Sequence, residues 1–399
     1  MNVNSILILI RTESDFERVV AIAIANKDKY KQDFIFVGDF SPFYNEGIKN
    51  NFQKALFNKH GFIIHDFSEF DFMGGIFRKI CKQKSYSLVK LRENKIYIFR
   101  YLIYKIFTRY IISRKHRIIQ NIFKITNSSI LLTDQSCEND NYLPEQIRKV
   151  AIARNISVYM FAHGAAGGLH SEFSEPEFQL YKDYTVFVCN KNETNIKLKN
   201  RIILGDVSSS FPYVKYINSI EFNDIEFFND RKYKIAFLVP GTGPYTSTTG
   251  WFIQEEIIIN LSENTNVAMV LKLHPREASF IDLRMLERFK NLLIVSNETD
   301  RSRVTKWADI VVCGDHCSTI FEPMILGKKV VAVEGKHLPK YQNNHSPIKH
   351  SSVMHISNSN EFCLDKIPYA NPKDPITNEI AWGGNGDVDL AQLLFKIIV

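Results

Sequence analysis

Acidic side chains are almost missing from one stretch of this 399-residue chain. Between Arg78 and Lys124 the only carboxylate is Glu93, set against a run of cations that includes Arg92, Lys95, Arg100, Lys105, Arg109, Arg114, Lys115, Arg117 and Lys124. Cysteine is sparse as well. Cys81, Cys137, Cys189, Cys313, Cys317 and Cys363 are scattered, which excludes a disulfide framework and gives no zinc signature. Cys313 and Cys317 read as small buried or site-lining residues. No apolar run approaches the roughly 18 residues of a membrane span. Ser5–Ile10 is short, has no basic segment before it and runs straight into charged sequence, so it reads as a first buried strand and not as a signal peptide. These absences imply a reducing, cytoplasmic setting. The apolar fraction of 45% and charged fraction of 23% are those of a soluble globular protein, with neither an internal repeat nor a low-complexity tract.

The length suits two domains better than one core. Strand patterns at 6–10, 34–37, 61–65, 129–133, 157–162 and 185–188 alternate with helical patterns at 15–27, 48–58, 78–125 and 144–154. After a polar lapse at 215–229 the alternation resumes, with strands at 235–239, 267–273, 292–295, 310–313 and 330–333 and helices at 254–261, 283–289, 303–307 and 319–326. The fold class is therefore α/β, two Rossmann-like domains facing a central cleft. The first would cover 1–215 with a basic aromatic helical insert at 78–125, a linker 216–231 would follow, the second would cover 232–375, and 376–399 would form a tail and helix. In the insert, residues such as Tyr97, Phe99, Tyr101, Tyr104 and Phe107 alternate with cations. That pattern suits an anionic membrane surface, and equally a helix that buries its apolar stripe and solvates its basic face. No nucleic-acid-binding signature accompanies the charge.

Candidate functional residues cluster where apolar runs end, because ligands in open α/β sheets bind at the carboxyl ends of strands. The run ending at Val239 is followed by a Gly/Ser/Thr loop in which Gly241, Thr242 and Gly243 would let backbone approach a phosphate. Val270–Leu273 ends in His274, Pro275 and Arg276, and the proline fixes an extended exit for the imidazole. Ile310–Cys313 leads to Asp315, then to Ser318 and Thr319 at a helix start suited to an anion. Glu322 completes a Thr-x-x-Glu capping box or reaches the donor. In the first half, His163 ends a buried strand and is followed by Gly164, Gly167 and Gly168, which leave room for an acceptor beside a general base. Asp134 is a second strand-end carboxylate, and Asp206, in Leu204-Gly-Asp206, a weaker candidate.

Taken together, the His163-Gly turn, the Leu-Gly-Asp segment, the Leu-His-Pro strand end and the Asp-x-x-Ser-Thr helix start resemble the GT-B glycosyltransferase superfamily. More narrowly, they resemble capsule-type Kdo transferases, teichoic-acid glycerophosphotransferases and bacterial sialyltransferases. The resemblance runs in order from Leu131 to Gly335. It implies that His274, Ser318 and Thr319 bind the phosphate of a cytidine nucleotide and that His163 acts as base. Asp315-His-Cys-Ser-Thr319 departs from the Asp-Tyr-Ser-Ser of the glycerophosphotransferases, and the acidic motif of the sialyltransferases is missing from the first half. The expectation is transfer of a sugar from a nucleotide-activated donor such as CMP-Kdo to a glycan or lipid-linked acceptor. Nucleic acid is not an expected partner, and no cofactor is expected beyond the donor. Residues 78–124 would hold the enzyme peripherally at the inner face of the membrane. No metal is expected, since the only Asp-x-Asp, Asp387-Val-Asp389, opens the last helix and does not follow a strand. A CDP-polyol phosphotransferase, a nucleotide-sugar 2-epimerase and a non-catalytic nucleotide-binding protein are the alternatives.

Overall fold

The structure, a computed structural model, describes residues 5–11, 13–37, 50–71, 95–134, 143–161, 184–188, 200–220, 230–239, 249–273, 282–296, 299–315, 318–334, 351–374, 378 and 388–399. At 13–15, 95–105, 107, 108, 112, 134, 188, 249 and 318 it describes the backbone only. The first half contains β1 Ser5–Ile10, α1 Glu13–Ala25, β2 Lys31–Phe36, α2 Asn51–Lys59, β3 Ile64–Asp66, α3 Lys95–Thr126, β4 Ile130–Asp134, α4 Leu143–Ala153, β5 Ser157–Phe161, β6 Thr185–Val188, β7 Arg201–Ile203 and α5 Phe211–Ser219. The second half contains β8 Tyr233–Leu238, α6 Thr249–Leu261, β9 Val267–Lys272, β10 Leu292–Val295, α7 Arg301–Trp307, β11 Ile310–Gly314, α8 Phe321–Ile325, β12 Lys329–Val333 and β13 Met354–Ile356. It is followed by α9, Leu390–Ile398.

The strands form two sheets, ordered β3-β2-β1-β4-β5-β6-β7 and β10-β9-β8-β11-β12-β13. Every pairing within them is parallel. Each sheet thus reverses its winding once, between β1 and β4 and between β8 and β11, which is the doubly wound arrangement. Strands such as Ser5–Ile10 and Val267–Lys272 are buried along their whole length, as expected when helices cover both faces.

Helices α3 and α4 pack on one face of the first sheet, through Ile111, Ile118, Ile119, Ile122, Phe123, Ile147 and Ala151. On the outer face of the second sheet α6 packs through Trp251, Ile253, Ile257 and Ile258. The remaining faces merge in one apolar cluster that joins Phe16, Val20, Leu56 and Ile217 of the first half to Val304, Phe321 and Met324 of the second. The last helix, capped by Asp389, returns to the first half. There the Asn26 amide donates to the Ala391 carbonyl at 3.1 Å, and the Tyr30 and Phe395 ring centroids lie 4.9 Å apart.

Several expectations need correction. Residues 283–289 do not form a helix; Leu283–Met285 make a 3-10 turn capped by Asp282, and only Leu286 of this segment is fully buried. Strands β7 and β13, of three residues each, escaped the sequence reading because neither carries an apolar run. The described part of the basic insert is one unbroken helix of 32 residues. Helix α5 continues to Ser219, past the expected start of the linker.

Candidate functional site

The two winding reversals set the geometry. In the first sheet β4 delivers Asp134 to its carboxyl end, beside β1. In the second, β11 delivers Asp315, whose backbone N–H donates to the Val333 carbonyl at 3.1 Å and whose side chain is buried at 4% exposure. Thr319 is half-buried in the 3-10 turn Ser318–Ile320 that enters α8. Cys313 is fully buried in β11 as a small apolar residue. His163, Gly164, Gly167, Gly168, Gly241, Thr242, Gly243, His274, Pro275 and Arg276 lie outside the described residues. In sequence they follow β5, β8 and β9, the strands beside the reversals.

Glu322 does not take the capping role expected of it. The N-cap of α8 is Ile320, with no side-chain cap bond, so the Thr-x-x-Glu capping box does not form. The Glu322 carboxylate is instead turned into the contact between the two halves. Its Oε2 lies 3.4 Å from Arg301 Nε and its Oε1 accepts from Asn218 Nδ2 at 3.4 Å. Arg301 Nη2 reaches across to Glu17 Oε2 of α1 at 3.1 Å. Next to it Asp300 caps α7, accepting from Ser302 N at 2.8 Å, and also accepts from Asn50 Nδ2 at 2.6 Å and Gln53 Nε2 at 3.0 Å. Tyr213 donates to Gln53 Oε1 at 3.3 Å. Asp206, carried by the turn in which Gly205 adopts φ +101°, accepts from Arg18 Nε at 3.3 Å and from Ser208 and Ser209. A side chain on residue 205 would be strained there. Glu17, Gln53, Tyr213, Arg301 and Glu322 line a cavity of about 10 Å³, enough for one water.

Carboxylates outnumber guanidiniums around Arg301, and the ionisation equilibria respond. Burial pushes the Glu322 carboxyl up to about 7; Arg301 opposes the shift and Asp300 adds to it. Burial raises Glu17 as well, against the pull of Arg301. Glu322 keeps 5% of its side chain exposed and Glu17 21%, so Glu322 is the deeper group and the better holder of a proton. For Asp206, burial is outweighed by Arg18 and the Ser208 hydrogen bonds, which hold its pKa below the ordinary carboxylate value. Burial works against the Arg301 charge, yet Glu17, Glu322, Asp206 and Asp300 together raise its pKa.

Apart from Asp206 and Glu322, none of these residues stands out in the sequence. The available signals were Glu17-Arg18 inside the apolar helix Phe16–Ala25 and Asp300-Arg301 at a helix start, charged pairs on faces that the flanking residues bury. Among the described residues, no three His, Cys, Asp or Glu side chains gather into a metal-binding set.

No protein-family model matches the sequence, and no curated protein matches it. Solved structures do. UDP-GlcNAc 2-epimerase from Neisseria meningitidis, bound to UDP-GlcNAc, superposes with a TM-score of 0.58 at 10% identity, covering 99% of this chain and 99% of that one. The enzyme from Methanocaldococcus jannaschii, in complex with UDP-GlcNAc and UDP, gives 0.56 at 12% identity over 99% of both chains. This chain has the GT-B fold. The two parallel sheets of the GT-B architecture correspond to the two Rossmann-like units expected from the strand and helix alternation. In GT-B terms the Arg301 cluster lies where the two units touch, while Asp134 ends β4 and Asp315 follows β11, each at the winding reversal of its unit.

Proposed function

We propose that this protein is a glycosyltransferase that moves a sugar from a nucleotide-activated donor, with a cytidine nucleotide of the CMP-Kdo type favoured, to a glycan or lipid-linked acceptor of a bacterial surface polymer. The observation that carries the reading is the pairing of winding reversals. Asp315, Ser318 and Thr319 follow β11 on one side and Asp134 ends β4 on the other, each at the edge where doubly wound sheets bind ligands. The second half would hold the nucleotide. His274, with Pro275 and Arg276, Ser318, Thr319 and the N–H groups of Gly241–Gly243 would balance the charge that develops on the leaving phosphate as the bond from the anomeric carbon to the phosphate oxygen breaks. His163 would take the proton of the attacking acceptor hydroxyl, with the Asp134 carboxylate as a second group available for that role and Gly164, Gly167 and Gly168 leaving room for the acceptor. Glu322, held by Arg301, would act on the donor side by fixing α8 and not by touching the nucleotide.

A second reading, epimerisation of a UDP-sugar, is favoured by the neighbours whose structures contain UDP-GlcNAc. One experiment separates the two. Purified protein is screened by thermal shift against CMP, CDP, UDP, UMP and GDP, and the nucleotide that raises Tm is then offered as its sugar conjugate with and without an acceptor. Transfer consumes the acceptor; epimerisation proceeds without one. His274→Ala should abolish the shift, whereas His163→Ala should keep the shift and lose turnover. A protein that no nucleotide stabilises is not a transferase of this kind.

A further inference from the structure

Helix α3 is longer than the sheet it covers. Its 32 residues span about 48 Å at 1.5 Å per residue, whereas strands of five or six residues span less than about 20 Å. Only Asn127, Ser128 and Ser129 separate its end from β4, so the end is tied to the amino edge of the sheet. The surplus therefore lies at the carboxyl edge, the edge that carries Asp134. Packing agrees with this division: within the described side chains of the helix, burial begins at Ile111 and continues through Ile118, Ile119, Ile122 and Phe123. The core-facing side also takes up Arg114, which pairs with Asp71 at 3.2 Å.

The opposite face is basic and apolar without a single carboxylate. Ile106, Arg109, Ser113, His116, Arg117 and Lys124 are exposed; the first four recur at steps of three and four, Arg117 stands four after Ser113 and Lys124 two turns beyond it, so that all lie on one stripe of a helix. Ile106 keeps 63% of its surface in solvent, and Ile125, beside Lys124, keeps 64%. No Asp or Glu occurs anywhere in α3. The turn that follows the neighbouring helix α4 adds exposed Arg154, whose guanidinium lies 5.7 Å from the Phe123 ring centroid, while the only acid of α4, Glu145, is fully buried. A face that is merely solvated mixes charge signs. One that combines cations with exposed isoleucines fits an anionic lipid surface, where headgroups meet the cations and the aliphatic side chains enter the acyl boundary.

We propose that the outer face of α3, extended by Arg154 just after α4, docks the protein on an anionic phospholipid surface, with the overhanging start of the helix on the side of the first sheet's ligand-binding edge. The transferase reading enters only in giving this docking a purpose, the approach to a lipid-linked acceptor. No helix among the described residues is long and apolar enough to cross a membrane, so the contact is with the surface.

Co-sedimentation of the full chain with mixed phosphatidylglycerol–phosphatidylcholine vesicles and with pure phosphatidylcholine vesicles tests it. Binding to the mixed vesicles should exceed binding to the neutral ones and weaken as salt is raised. The combined change Arg109→Glu, Arg117→Glu and Lys124→Glu, all at exposed positions, should lower partitioning at least about tenfold. Ile106→Ser with Ile125→Ser should weaken binding while leaving its salt dependence in place. The thermal shift by nucleotide should be the same in wild type and charge-reversed protein, so failure of docking and failure of the donor reading are separate results. Equal binding to both vesicle types, or vesicle binding that survives the charge reversal, overturns the proposal. So does single-stranded RNA that displaces the vesicles at lower concentration than it takes to compete with free lipid, since that outcome makes the face a nucleic-acid surface.

Discussion

Two arginines of this protein, one fully buried and one partly, sit among carboxylates in opposite ways. Among the described residues Arg148, on α4 within the first half and fully buried, meets one acid, Glu145, at 2.8 Å; Tyr184 donates to the other oxygen of that carboxylate at 2.8 Å and offers its ring face to the guanidinium at 5.8 Å. Arg301, where the two halves touch, meets Glu17 at 3.1 Å and Glu322 at 3.4 Å, with Asp300 beside them. Among the described residues the first site pairs one acid with one guanidinium, both from the first half, so that pair can form as that half folds. The second has more negative than positive groups and needs both halves. Among the described residues the interface, and not the interior of the first half, holds the ionisable surplus.

Substitutions at the two arginines test this contrast directly. The largest effect is expected for Arg301→Met, which strands two carboxylates at the interface. Urea unfolding near pH 8 should show a loss of about 3–5 kcal/mol, shrinking near pH 5 as the freed carboxyls take protons. Arg148→Met strands a single carboxylate that keeps its tyrosine donor, so its loss should fall at the lower end, about 3 kcal/mol. A loss from Arg148→Met that exceeded the one from Arg301→Met would dissolve the distinction between the sites.

Glu322 gives the pH signature. Its pKa in the folded protein is about 7 against an ordinary 4.5, so the folded state keeps a proton that the unfolded state releases. Stability should therefore be highest below about pH 4.5 as far as this group is concerned. It should fall as pH rises towards about 7 and level off above, by up to about 3 kcal/mol in all. Glu322→Gln should flatten that slope and raise stability near pH 8; a slope unchanged in the variant would assign it to another group. The smallest effect is expected for Tyr213→Phe, which removes one hydrogen bond to Gln53 and should cost about 1 kcal/mol in the same urea assay.

Strand runs such as Val267–Lys272 and Ile310–Gly314 were legible because parallel strands covered on both faces must be apolar throughout. Ser5–Ile10 was legible for the same reason. β7 and β13 were not, since three-residue edge strands owe their position to a neighbour and not to their own pattern. The basic helix was visible, but which of its residues face the core was not. That choice is made by Asp71 and the Phe67–Phe70 turn, which the chain brings up from earlier in the sequence. Asp134 and Asp315 could be picked out as residues at strand ends, and Thr319 as part of the helix start that follows. The Arg301 cluster could not, because its contacts join residues far apart in the chain: Asn50 and Asp300 are separated by 250 positions, Asn218 and Glu322 by 104. Local spacing carries no trace of such pairs.

The return of α9 to the first half has a mechanical side. β1 and α9 both belong to the layer around α1, with Asn26 and Tyr30 joining that helix's end to Ala391 and Phe395. A tension applied between β1 and α9 would be borne by the first sheet and its helices. The second sheet would sit outside the load path, like a pendant on a closed chain, and would feel the pull only after α9 had been peeled away.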